Sequence, residues 1–299
     1  MSYKAVGGQA VIEGVMMQGE KKKAVAVRTP DGEIKVKTER INSWVKNKHI
    51  DKIPFLRGMF ILFETMIDGM KSLNYSSDIY MEETGEEEED AIDRFIKKMF
   101  GDKANDVLIM VSMVIAVILS VGLFVMLPTF AGGFFAKFIN NDVVLNLIEG
   151  VIRILILFAY IYAISKNKDI ERVYQYHGAE HKSIHCYESG KELTVENARE
   201  FKRLHPRCGT NFLFIVMATS IILFAFFGWP NPLMRILMRI VCIPVVAGIA
   251  YEIIRILGKY DNAFTRMIAY PGMMLQYLTT KEPDDEQLEV AIASLKAVI

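Results

Sequence analysis

The sequence predicts an α-helical membrane protein with four transmembrane helices and a cytoplasmic α+β head. Three observations carry that expectation. Four stretches are apolar over the roughly 20 residues that a helix needs to cross a bilayer. Lysine and arginine concentrate in the first segment and in one interior loop, as they do on the cytoplasmic side of membrane proteins. A Pro-Asp-Gly turn between two alternating stretches marks a β-hairpin near the amino terminus.

Composition agrees. Apolar residues make up 52% of the 299, with 17 Met and 18 Phe, and many fall in long runs. The net charge is zero, so no broad basic field exists to bind nucleic acid. Three irregularly spaced cysteines form no disulfide framework and fit a reducing compartment. The opening "MSYKAVGGQAVIEG" has no basic start followed by an apolar core, so no signal peptide is expected.

Residues 1–53 are expected to form a β-rich cytoplasmic head. In "AVAVRTPDGEIKVKTE", 24–39, proline presets φ and glycine accepts positive φ at the turn. "VGGQAVIEGVMMQG" carries four glycines in 14 residues. It matches neither a dinucleotide fingerprint nor a phosphate-binding loop, and reads as strands with bends. Gln9 and Glu13 are its pocket candidates, because neighbouring glycines let backbone approach closely. Residues 54–80 read as an amphipathic helix with Arg57, Glu64, Asp68 and Lys71 on one side. Residues 81–106 read as an acidic linker and helix.

Residues 107–165 are expected to hold transmembrane helices one and two, and 212–258 helices three and four. The loop 129–142 has one basic residue, Lys137, and 230–232 has none, whereas 166–211 has nine. Both termini and 166–211 are therefore expected in the cytoplasm, beneath a plasma membrane crossed several times. Residues 259–299 are read as a cytoplasmic tail. Glu149 and Arg153 on the second span fall at a depth similar to Arg235 and Arg239 on the fourth. Charges at that depth are paired or face a polar interior, so these four are expected to form an ion-pair network. The network serves helix packing in one reading and a polar transport path in the other.

The insert 166–211 carries four of the five histidines within 29 residues. In "YHGAEHKSIHCYESG", 176–190, His177 and His181 stand four apart and share one face of a helix. With Glu180 they give H-x-x-E-H, the reverse of the zincin order. There, two histidines hold zinc and the glutamate is general base toward the activated water. "HPRCG", 205–209, places His205 and Cys208 with the two-residue gap of a zinc-binding turn. The expected ligands are His177, His181, His205 and Cys208, with His185 and Cys186 as alternates. The expected ion is zinc or another divalent metal. Four protein ligands make a structural site, and three leave a position for water.

"GGQAVIEGVMMQG", "YHGAEHKSIHCYE" and "RLHPRCGTNFLF" together resemble the YqhQ-like family of bacterial integral membrane proteins. The resemblance implies an inner-membrane location and brings no substrate; members have been labelled metal-dependent enzymes. Two functions follow. One is a metal-dependent hydrolase acting on a peptide or lipid-linked substrate at the membrane surface, with Glu180 catalytic. The other is a non-catalytic protein with a structural metal, a partner of membrane-protein biogenesis or transport machinery. Expected partners are the lipid bilayer and a membrane protein, and not nucleic acid.

Overall fold

Apolar alternation along the first forty residues folds into an antiparallel meander in the computed structural model, which describes residues 6–84, 99, 101, 104–260 and 262–299. Strands β1 (Gly7–Val11), β2 (Gly14–Gln18), β3 (Lys22–Arg28) and β4 (Ile34–Arg40) lie in chain order across the sheet. Val11 pairs with Gly14, Gly14 with Val27, and Arg28 with Ile34. The tight β1–β2 connection holds Glu13 at φ 47°. The Pro-Asp-Gly turn closes β3 to β4, with Gly32 at φ 91° donating its N–H to the Thr29 carbonyl.

The remainder is helical. Helix α1 (Leu56–Thr84) precedes the acidic stretch 81–106, most of which lies outside the described residues. Helices α2 (Ala104–Val121) and α3 (Leu127–Phe135) are joined by a π-helical turn, Gly122–Met126. Then follow α4 (Asp142–Ile164), α5 (Lys168–Ser189), α6 (Val195–Arg199), α7 (Gly209–Ala225), α8 (Pro232–Lys259), α9 (Ala263–Thr279) and α10 (Asp285–Lys296).

Among the described residues, three stretches are long and apolar enough to cross a membrane: Met110–Phe135, Asp142–Ile164 and Pro232–Leu257. Helix α7 is equally apolar but only 17 residues long, ending before Gly228 and Pro230. Large apolar side chains such as Ile118, Leu119, Leu155 and Val241 stand exposed on these helices, as lipid-facing residues do. The first apolar helix runs past Pro128, where the sequence reading ended it, because the π turn absorbs the proline.

The chain divides into two units. One comprises Met1–Thr84, Ile161–Thr219 and Pro244–Ile299. Its sheet is covered on both faces. Val15, Met17, Ala24 and Ala26 pack with Tyr176, Ala179 and Ile184 of α5 and Leu288, Ala291 and Leu295 of α10. Val11, Met16, Val25 and Val27 pack against Ile79 and Tyr75 of α1. The segment 259–299, read from sequence as a tail, is thus α9 and α10, and α10 is a wall of the core. The reason is tertiary: α10 is amphipathic, and its apolar stripe completes a sheet formed at the other end of the chain.

The other unit comprises Gly85–Tyr160 and Ser220–Ile243. Here Glu149, fully buried, meets Arg153 (3.5 Å), Arg235 (3.2 Å) and Arg239. Thr129 joins them, donating to Glu149 (2.9 Å) while Arg239 donates to its hydroxyl. Arg235 stacks on Trp229, 3.7 Å from the ring centre. Proline 128 has no N–H to give the Phe124 carbonyl one turn earlier, and Arg153 Nε donates to that oxygen instead (2.9 Å). Gly150 allows close packing of α4 on α7, since a Cβ there would lie 2.5 Å from Ile221.

Candidate metal centre

Helix α5 carries the histidines because its ends are well defined. The Asn167 side chain accepts from the Asp169 and Ile170 N–H groups, Asp169 and Glu171 oppose the helix dipole, and Gly190 ends the helix at φ 78°. Gly178 sits beneath the segment after α9, where a Cβ would come within 2.1 Å of the Lys281 carbonyl. That close pass brings the Thr279 carbonyl to His177 Nδ1 (2.8 Å).

The turn after α6 approaches the same face. Gln276 of α9, completely buried, clamps it from both sides: Oε1 accepts from the His205 N–H and Nε2 donates to the His205 carbonyl, each at 2.8 Å. So held, the turn presents the Arg203 carbonyl to His181 Nδ1 and the Leu204 carbonyl to His185 Nε2 (3.0 Å). It also places Cys208 Sγ 3.1 Å from His177 Nε2.

These contacts fix the tautomers, because a carbonyl only accepts. His177 and His181 each carry the proton on Nδ1, so each Nε2 is a lone pair. Ligand atoms of His177, His181 and Cys208 all lie within 4.8 Å of one another. A tetrahedral zinc with ordinary Zn–N and Zn–S bonds holds such atoms ~3.5 Å apart. His181 Nε2 is buried and has no hydrogen-bond partner among the described residues. Metal-bound histidines have this same second contact, Nδ1–H to a carbonyl. The three residues therefore fit a divalent ion.

Electrostatics suit the same role. Burial pushes the Cys208 thiol up, but hydrogen bonding and charge interaction with His181 and the donors of Thr210 outweigh it, and the net shift is downward. The Thr210 N–H and hydroxyl lie 3.5 and 3.4 Å from the sulfur. Burial lowers the pKa of His181, against the opposing pull of Cys208 and the Arg203 carbonyl. Burial raises Glu180 to about 8; His177 and the Gly8 N–H pull it down and Cys208 pushes it up. Glu180 Oε2 has no partner among the described residues. Gly8 of β1 lies directly on this carboxyl, and a Cβ there would sit 2.8 Å from it.

The four ligands expected from sequence do not form one group. His205 lies with His185 and Glu188 in a second cluster. Its Nδ1 accepts the Arg207 N–H (3.2 Å), which leaves the proton on Nε2, facing Glu188 at 3.5 Å. Glu188 also pairs with Arg207. In that tautomer His205 Nε2 is a donor, and it is buried with no hydrogen-bond partner among the described residues. Cys186 packs in the apolar core and donates to the Glu192 carbonyl. Glu13 is engaged by Arg172 of α5 and by Tyr176 (3.3 Å), and Gln9 lies against Gly69 of α1. Sequence reasoning missed Gln276 and Thr279, which position the site from α9.

Comparison with known proteins agrees with this chain's motifs. Residues 53–299 match the family model described as "Protein of unknown function (DUF1385)". The chain is 36% identical over 297 residues to "Uncharacterized protein YqhQ" of Bacillus subtilis (strain 168), covering 99% of this chain and 92% of that protein. No solved structure matches. The chain belongs to the DUF1385 family, the YqhQ-like proteins.

Proposed function

We propose that this protein is a membrane-bound, metal-dependent hydrolase with its centre at His177, His181 and Cys208. The observation that carries the reading is the pair of Nε2 lone pairs converging on one sulfur, each imidazole oriented by a carbonyl behind it. A three-residue N,N,S set suits zinc and leaves a position for water, as in catalytic rather than structural sites. A zinc ion there supplies Lewis-acid activation of water at neutral pH. Glu180, one residue before His181, takes up and returns the proton. Its burial raises the carboxyl to about 8, so that, once ionised, it is a strong proton acceptor. The Thr210 donors favour the ionised form of the Cys208 sulfur. The loop-charge bias favours four spans, with α7 as the third, and supports a cytoplasmic position beneath the plasma membrane for both termini and 166–211.

The experiment is elemental analysis and cobalt substitution of the detergent-purified full chain. The wild type is expected to hold zinc. On cobalt loading it should show a thiolate charge-transfer band that Cys208→Ser abolishes. His181→Ala should weaken metal affinity by on the order of 100-fold or more. Glu180→Gln should retain the metal and lower ester or amide hydrolysis by ~100-fold or more. Wild-type protein free of metal overturns the centre. Full hydrolysis by Glu180→Gln removes the general-base role, and metal-loaded wild type without hydrolysis leaves a structural ion.

A further inference from the structure

A cavity of about 460 Å³ adjoins the centre, and Cys208 is part of its wall. Its polar lining is concentrated: His185, Glu188 and His205 form the second cluster, and Arg207 is paired to Glu188. Its apolar lining comes from three helices. Phe214 and Ile215 belong to α7, Ile254 and Leu257 to α8, and Ile268 to α9. Ile254 and Leu257 occupy the last turn of the apolar stretch Pro232–Leu257. Phe214 and Ile215 lie near the start of α7, just past the histidine turn. The apolar wall is therefore built where two apolar helices give way to polar chain.

Such a lining selects its occupant. A small polar solute would leave the aliphatic wall wet. A plain hydrocarbon would strip water from the His205 donor and the Glu188–Arg207 pair without replacing its hydrogen bonds. An acyl chain ending in ester or phosphate oxygens satisfies both. The oxygens accept from His205 Nε2–H and from Arg207, and the chain lies along Ile254, Leu257 and Ile268. We infer that this cavity binds an acyl lipid, headgroup toward His205 and Arg207, so that a head-proximal ester lies beside Cys208. This inference rests on the hydrolase reading for its consequence, but the binding itself does not need the metal.

The test uses the full chain in phosphatidylcholine vesicles with a small fraction of phosphatidylglycerol bearing a diazirine on its acyl chain. After irradiation, labelled peptides are mapped by mass spectrometry. Label is expected on the peptides holding Phe214, Ile254 and Ile268. Ala269→Trp, which fills the cavity from its α9 wall, should cut that label about fivefold or more, leaving label on exposed Val241 unchanged. Excess unlabelled phosphatidylglycerol should compete equally, a control independent of how the variant folds. His181→Ala should label like wild type; if it does, loss of metal and loss of lipid are separate outcomes. Label confined to exposed helix faces and insensitive to both competitor and Ala269→Trp overturns the inference. So does competition by an apolar peptide of about 20 residues where lipid fails.

Discussion

The Glu149 cluster and the His177 centre are both buried and polar, but their hydrogen-bond inventories differ. Around Glu149 every group is a fixed charge or a hydroxyl, both carboxylate oxygens are engaged, and the buried atom left without a partner among the described residues is a donor, Arg235 Nε. Around His177 lone pairs remain on His181 Nε2 and Glu180 Oε2, neither with a hydrogen-bond partner among the described residues. Charged side chains among apolar helices are stable only when they complete one another. A site that receives something from outside must leave atoms uncompleted. The difference teaches that spare lone pairs, more than burial or charge, distinguish a place for a ligand from a place that holds helices together.

The largest effect is expected at the Glu149 cluster. Glu149→Gln leaves three guanidinium groups without their carboxylate, and should destabilise the protein by about 3–5 kcal/mol, read as thermal unfolding in detergent. Adding Arg239→Gln should recover part of the loss. An unchanged melting temperature in the single variant would end the packing role and break the comparison.

A smaller effect is expected at the frame of the centre. Gln276→Ala leaves the buried N–H and carbonyl of His205 without partners, at about 1–3 kcal/mol. It should also weaken metal binding, because the turn carrying Cys208 loses its clamp. Metal affinity equal to wild type would mean the turn holds its shape unaided.

The smallest effect is a slope. Burial drops the His205 pKa from 6.5 to about 4. The unfolded chain then takes up the proton first as pH falls, so this contribution is complete above pH 6.5 and is lost as pH falls toward about 4. His205→Gln should flatten stability over that window. Guanidinium groups do not titrate there, so variants of the Glu149 cluster should keep the slope.

Much of this was legible in local pattern. Apolar runs gave the long helices, the Pro-Asp-Gly turn gave the β3–β4 hairpin, and four-residue spacing put His177 and His181 on one helical face. What was hidden is long-range. Gln276 lies 71 residues from His205 and Thr279 lies 102 from His177, and neither type stands out in an amphipathic helix. Helix α10 reaches back 270 residues, through Ser294, to the Ala24 carbonyl. Its sequence resembles any short surface helix until the sheet it covers is known. The division of the histidines was hidden too. It depends on which ring nitrogen faces which carbonyl, and spacing carries no trace of that.

The bond from Arg153 to the Phe124 carbonyl bears on biogenesis. Within hydrocarbon, Pro128 has no N–H to give the Phe124 carbonyl, and α4 has a guanidinium that lipid never solvates. Each is a poor guest of the bilayer alone and an acceptable one beside the other. Insertion would therefore favour release of the two as a hairpin, with the second helix escorting the first out of the insertion machinery.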